Sequence, residues 1–187
     1  MVIINYNGFW EDSSREDLAH CHDKSLSSSL VEFFKRENIN SVVDFGCGLG
    51  DYVKSLRESN INACGYDGNP NTPELTDNIC KVLDLSKSVQ LTPYDWVMSL
   101  EVGEHLPKEF EDIFIYNLHN NNKYGILLSW AIKYQGGTGH VNEQNNDYIK
   151  SKICKMGYTN DIEAEKYLRA NCDCGWFTNT IMVFRKV

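Results

Sequence analysis

The chain has 187 residues, 42% of them hydrophobic, and a formal net charge of −8 with a pI near 5.1. That length suits one hydrophobic core, read here as a single domain over residues 1–187, and the acidity disfavours a phosphate backbone as partner. No run of lysine and arginine marks a nucleic-acid patch, and no stretch approaches the roughly 18 apolar residues of a membrane span.

The N-terminus "MVIINYNGFWEDSS" lacks a basic segment followed by an apolar one, so a cytoplasmic protein is expected. Seven cysteines, odd in number and scattered, point to reduced thiols rather than a disulfide framework. His20, Cys21 and His22 with Cys172 and Cys174 form a suggestive group. Cys-x-Cys is not a zinc-ligand spacing, however, and ordinary thiols and loop histidines are the reading.

Residues 1–24 read as an N-terminal arm or lid, "HCHDKS" fitting part of a lid over the site and a disordered arm equally. Next, Leu26, Leu30, Phe33 and Phe34 recur at helical spacing behind a run of serines that can cap a first helix. Strand and helix then alternate: "SVVDF", the helical "YVKSLRES", "INACGYD", a proline-broken turn, and "ICKVLDL". "YDWVMSL" follows, then a helix over about 107–120 and the strand "YGILLSWA", which makes five candidate parallel strands. A glycine-rich loop, "KYQGGTGHVN", leads into a helix over 143–156 stopped by Gly157. "GYTNDIEAEKYLRANCDCG" fits strand or helix equally, and "WFTNTIMVFRKV" reads as a closing strand. The asparagine-rich "NLHNNNKYG" is a solvated helix-to-strand loop. The pattern predicts an open, doubly wound α/β sheet whose ligand sits beyond the carboxyl ends of the strands, where their order reverses.

"SVVDFGCGLGDY" occupies that place. Gly46, Gly48 and Gly50 let the backbone approach a ligand closely. Their spacing misses the G-x-G-x-x-G of a dinucleotide fingerprint, because Gly50 falls one residue early. Asp44 and Asp51 flank the turn, and a pyrophosphate there would meet like charge in a poorly solvated site. A cationic, phosphate-free ligand would not. Asp67 ends the second strand about 20 residues past the first glycine, the spacing of an acid that accepts ribose hydroxyls.

"VVDFGCGLG", "GYDGNP", "KVLDLS" and "DWVMSLEVGEHLP", in this order, resemble successive motifs of the class I S-adenosylmethionine (SAM)-dependent methyltransferases. The resemblance implies a seven-stranded, mainly parallel sheet with helices on both faces and an antiparallel last strand, reached here by "TIMVFRKV". It assigns Asp44, Gly46, Cys47 and Gly48 to the methionine end of SAM and Asp67 to its ribose, with Gly68 leaving room beside it. Asp84 and Leu85 border the adenine, and Leu100 and Glu101 lie beneath the sulfonium. The implied reaction is methyl transfer from SAM to a small-molecule acceptor, leaving S-adenosylhomocysteine (SAH).

Such transfer is an in-line displacement, so the enzyme mainly holds acceptor and sulfonium in near-attack geometry and excludes water. An oxygen acceptor also needs its proton removed, for which His105 and His140 are the candidate catalytic bases. Oxygen is favoured over nitrogen because the Asp/Asn-Pro-Pro-aromatic string of amino-methylating enzymes is absent after the fourth strand. Glu101, Glu104 and His105 form E-x-x-E-H, which resembles a metal-binding string of some O-methyltransferases acting on ubiquinone precursors or small RNA. With His140 as fourth ligand, a divalent ion would acidify an acceptor oxygen. No metal is nevertheless expected, since similar Glu-His strings occur in metal-free relatives and the further histidine motif of the RNA enzymes is missing. Trp130, Tyr134, Trp176 and Phe177 are candidate walls of the acceptor pocket. The competing readings are a SAM-binding partner subunit without turnover and a phosphate-bearing nucleotide enzyme of another class.

Overall fold

Apolar runs separated by turn residues form seven strands: β1 (Ser41–Phe45), β2 (Asn62–Asp67), β3 (Cys80–Val82), β4 (Tyr94–Ser99), β5 (Asn122–Leu128), β6 (Tyr158–Asn160) and β7 (Met182–Lys186). In the computed structural model, which describes residues 3–11 and 21–187, they build one sheet of order β3-β2-β1-β4-β5-β7-β6. The first five pair in parallel, and β7 runs antiparallel to both β5 and β6. This is the expected doubly wound sheet with its reversed last strand.

Strand residues alternate between two cores. Val42, Trp96, Met98, Leu127 and Val183 face α1 (Lys24–Arg36), α2 (Asp51–Glu58), α6 (Ile162–Ala170) and α7 (Phe177–Thr180). Val43, Val97, Ile126, Leu128 and Phe184 face α4 (Glu111–Asn120) and α5 (Asn146–Cys154). Both sides of each central strand are therefore dry, which is why these strands read as nearly unbroken apolar runs. The short α3 (Thr72–Leu75) begins at the proline-broken turn. Among the described residues, no helix is long and apolar enough to cross a membrane.

Several boundaries differ from the sequence reading for local reasons. β3 is only three residues long, and the chain turns beyond it, where Asp84 accepts from the Ser86 amide and hydroxyl at 2.9 and 2.6 Å. The ambiguous stretch after Gly157 contains both a strand and a helix, β6 and α6. Asp161 divides them, its carboxylate accepting the Ala164 N–H at 3.0 Å as an N-cap. α4 is preceded by a 3-10 turn, Lys108–Phe110, and α5 starts at Asn146 rather than 143.

Asp23 fixes the start of α1: Oδ1 accepts from Leu26, while Oδ2 accepts from Asp173 and Cys174 at 2.7 Å each, joining α1 to the α6–α7 loop. Of the expected N-terminal arm, residues 3–11 form a small hairpin with an Ile4–Trp10 bridge. Residues 1–2 and 12–20, His20 included, lie outside the described residues.

Candidate functional site

The chain leaves β1 toward β2 on one side and β4 toward β5 on the other, so a crevice opens between their carboxyl ends. It holds a cavity of about 340 Å³, bordered by Asp44, Gly46, Cys47, Gly48, Asp67, Gly68, Asp84, Leu85, Leu100, Glu101, His105 and His140. These twelve residues span almost a hundred positions of sequence, and the fold brings them to one opening. No lysine or arginine occurs among the described residues that line it.

The glycine turn has the conformation its composition allows. Gly46, Gly48 and Gly50 have φ of 80°, 51° and 73°, in the left-handed region that side chains disfavour. A Cβ on Gly46 would lie 2.3 Å from Val102 Cγ2, so the turn is pressed against the segment that follows β4. Asp67 closes it from the other side, its Oδ2 accepting the Gly48 N–H and its Oδ1 the Asn69 N–H, both at 2.9 Å.

Asp44 is buried, at 3% exposure. Burial, followed by the proximity of Cys80 and Asp67, holds its carboxyl well above the ordinary carboxylate range. The fold thus resists its ionisation, and a nearby cation would favour it. Gly68 departs from expectation: the space its missing side chain leaves is filled by Phe9, whose ring would lie 2.4 Å from an added Cβ.

Beyond β4 the backbone is strained where the side chains gather. Glu101 adopts φ 52°, a rare state for a non-glycine residue that clusters at functional sites. Its amide donates to Ser129 Oγ, while its carboxylate accepts from Gln135 Nε2 at 2.9 Å and Thr180 Oγ1 at 3.1 Å. Glu104 has no exposed surface, and neither of its carboxylate oxygens has a hydrogen-bond partner. Burial, then the charge of Glu101, pushes its pKa well above normal.

The rings of His105 and His140 meet edge to face with centroids 4.9 Å apart. Ligand atoms of Glu104, His105 and His140 all lie within 4.8 Å of one another. Glu101, the other member of the expected four-ligand set, is engaged elsewhere and stands outside this trio. His140 Nδ1 is 3.1 Å from Glu143 Oε1. Burial alone would raise the Glu143 pKa, but His140 and the amides of Gly136 and Tyr134 hold it below normal.

The aromatic wall divides. Trp176 and Phe177 border the cavity, whereas Trp130 is fully buried, with its indole donating to the Asn142 carbonyl at 2.7 Å. A Cβ on Gly103 would fall 2.1 Å from the Trp130 ring, so Trp130 packs beneath the turn that presents Glu104 and does not wall the pocket. Tyr134 is 98% exposed and is likewise no wall. Asn7, Phe9, Trp10, Tyr52 and Thr138 line the cavity without having been singled out from sequence, whereas Cys21 and His22 of "HCHDKS", read from sequence as part of an arm or lid, also border it. Only tertiary contact distinguishes them from ordinary loop and helix residues.

A family model described as a methyltransferase domain matches residues 18–114. No curated protein matches the chain. Among solved structures, magnesium protoporphyrin IX methyltransferase from Synechocystis PCC 6803 with bound SAH has a TM-score of 0.66 at 17% identity, covering 86% of this chain and 82% of that one. Small RNA methyltransferase HEN1 has a TM-score of 0.63 at 17% identity, over 94% of this chain and 27% of that one. The 1,6-didemethyltoxoflavin-N1-methyltransferase of Burkholderia thailandensis has a TM-score of 0.56 at 12% identity, over 87% of this chain and 78% of that one. With a family match over more than half its length and the strand order of the class I fold, the chain belongs to the methyltransferase domain family.

Proposed function

We propose that the protein transfers the methyl group of SAM to an oxygen of a small-molecule acceptor. The observation that carries this reading is the charge of the crevice: Asp67, Asp84 and Glu101 line it without any described lysine or arginine. A sulfonium and an ammonium are stabilised there and a pyrophosphate is repelled. Asp67, held by the Gly48 and Asn69 amides, keeps lone pairs for ribose hydroxyls. Asp44, buried beside the glycine turn, has its ionisation favoured by the methionine ammonium. Leu100 and Glu101 lie under the sulfonium.

Acceptor and methyl carbon are brought into line within the crevice, which supplies orientation and limits competing water. His140, oriented by Glu143, or its neighbour His105 takes the acceptor proton as the oxygen attacks. The neighbouring folds belong to enzymes named for porphyrin, RNA and toxoflavin substrates, so fold likeness does not choose the acceptor. The test is calorimetric titration with SAM, SAH and NAD, followed by turnover on a panel of hydroxyl and amine acceptors. Binding of SAM and SAH but not NAD, with methyl transfer to a hydroxyl, is expected. Tight NAD binding overturns the cofactor, amine-only turnover overturns the oxygen assignment, and SAM binding with no turnover on the panel favours the partner-subunit reading.

A second reading, metal-assisted O-methylation, is favoured by the buried and unpartnered Glu104 carboxylate beside His105 and His140. An orphan carboxylate in a dry site is costly, and a divalent cation is the partner that two imidazoles and a carboxylate fit. The donor set is three residues, Glu104, His105 and His140. A bound ion would lower the pKa of an acceptor hydroxyl. Loss of turnover in a chelator, restored by magnesium, manganese or zinc, supports this reading, and unchanged turnover excludes it.

A further inference from the structure

The hairpin Ile3–Glu11 precedes every motif of the family resemblance, yet Asn7, Gly8, Phe9 and Trp10 all border the cavity. The hairpin is closed by its own backbone. Asn5 N–H donates to the Phe9 carbonyl at 2.8 Å, Gly8 N–H to the Asn5 carbonyl at 2.9 Å, and Glu11 N–H to the Ile3 carbonyl at 2.8 Å. These bonds fix the shape of the hairpin, and its docking contacts supply the rest of what orders it.

Its docking points run the length of the crevice. Tyr6 bonds Glu109 and packs edge-on against Phe110 just beyond the β4 segment. Gly8, at φ 95°, presses its Cα on the His105 carbonyl, which an added Cβ would approach to 2.3 Å. Phe9 covers Gly68, immediately after Asp67. Asn7 Nδ2 donates to Asp84 Oδ2 at 2.8 Å.

The Asp84 contact bears on what else can bind there. Its Oδ1 accepts from the Ser86 amide and hydroxyl, and its Oδ2 from Asn7. An ionised carboxylate offers about four acceptor sites, so Oδ2 retains one, and Asp84 borders the cavity together with Leu85, Gly68 and Phe9. A flat heteroaromatic ring bearing an amino group satisfies both features, with its face on Phe9 and its N–H on Asp84.

We propose that the hairpin is the roof of the adenosine subsite, with Phe9 packing on the adenosine and Asn7 holding Asp84 so that its remaining lone pair accepts the adenine amino group. This rests on the reading of SAM as cofactor and adds two cofactor-binding residues to the positions that carry the family resemblance. The hairpin also touches the His105 turn, so the element that covers the adenosine is seated on the segment that carries a candidate base.

The test is calorimetric titration of the full chain with SAH and with 5′-methylthioadenosine, which share the adenosine and differ at the amino-acid end. Phe9→Ala should weaken both ligands by the same factor, about tenfold, as expected for loss of a ring stacked on a base. Phe9→Tyr should retain affinity, and Asn7→Ala should weaken both about three- to tenfold. Should Phe9→Ala fail to fold, as judged by its melting curve without ligand, Phe9→Leu, which keeps bulk but not the ring face, and Asn7→Ala carry the comparison. Wild-type binding with unchanged affinity in these variants overturns the hairpin assignment alone. Tighter binding in Asn7→Ala also overturns it, because the amide would then be a competitor for the adenine position. Absence of binding by the wild type overturns the cofactor reading together with it.

Discussion

Replacing Glu104 with glutamine should stabilise the metal-free protein and abolish its response to divalent cations. The carboxyl is fully buried and makes no well-formed hydrogen bond; burial and then Glu101 raise its pKa, opposed in part by the nearby amides of Glu104 and Ala131. An acid whose folded pKa lies above its unfolded value binds more protons when folded. Stability therefore falls as pH rises past the unfolded value, about 4.3 for glutamate, and continues to fall until the folded pKa is passed. Glutamine keeps the shape and cannot ionise. Its amide is buried as the carboxyl was, so the gain is only the cost of ionising an acid there, about 1–3 kcal/mol, and for a chain of this size each kcal/mol moves Tm by about 2–4 °C. A gain of about 2–12 °C is expected at pH 8 in chelator, shrinking toward zero at pH 4. Melting curves of both proteins, with and without magnesium, manganese or zinc, provide the measurement. Wild type should gain stability with a cation and the variant should not. A Glu104→Gln protein that melts lower than wild type at pH 8, with a wild type indifferent to every cation, would refute the reasoning, since the carboxylate would then be satisfied within the fold.

Asp67→Ala should weaken SAH binding by at least about tenfold, because charge-assisted hydrogen bonds contribute about 1.5–3 kcal/mol each; an unchanged Kd would show that Asp67 serves only the Gly48 and Asn69 amides. Gly46→Ala should lower stability by about 1–3 kcal/mol in urea titration, combining a left-handed backbone with a collision at Val102. Adding Val102→Ala should recover only part of that loss, since φ remains at fault. Glu111 is buried between Lys108, Tyr148, Lys152 and Asn142; burial opposes ionisation, but these partners hold its pKa down to about 2. A depressed acid contributes stability that is present above the unfolded value and lost as pH falls through the folded one. Glu111→Gln should therefore cost about 3 kcal/mol at neutral pH, with the difference from wild type fading below about pH 4 and gone near pH 2.

What the sequence by itself determined are the features that a short stretch of chain specifies physically. Apolar runs with two dry faces become central parallel strands, and glycines at Gly46, Gly48 and Gly50 permit a left-handed turn between strand and helix. Asp67 and Asp84 stand at the ends of neighbouring strands, so alternation alone brings them to one crevice. Tertiary structure decided the rest, because burial and charge state depend on residues far away in the chain. Trp130 and Trp176 are indistinguishable as local signals; one is buried under Gly103 and the other borders the cavity. Asp44 and Glu104 read as charges until packing removes their water. His140 meets His105 only because the loop after β5 folds back over the segment after β4, and Phe9 finds Gly68 only because a hairpin more than fifty residues upstream lies across the opening. No periodicity carries such contacts, since they arise from the complementary shapes of separately formed pieces.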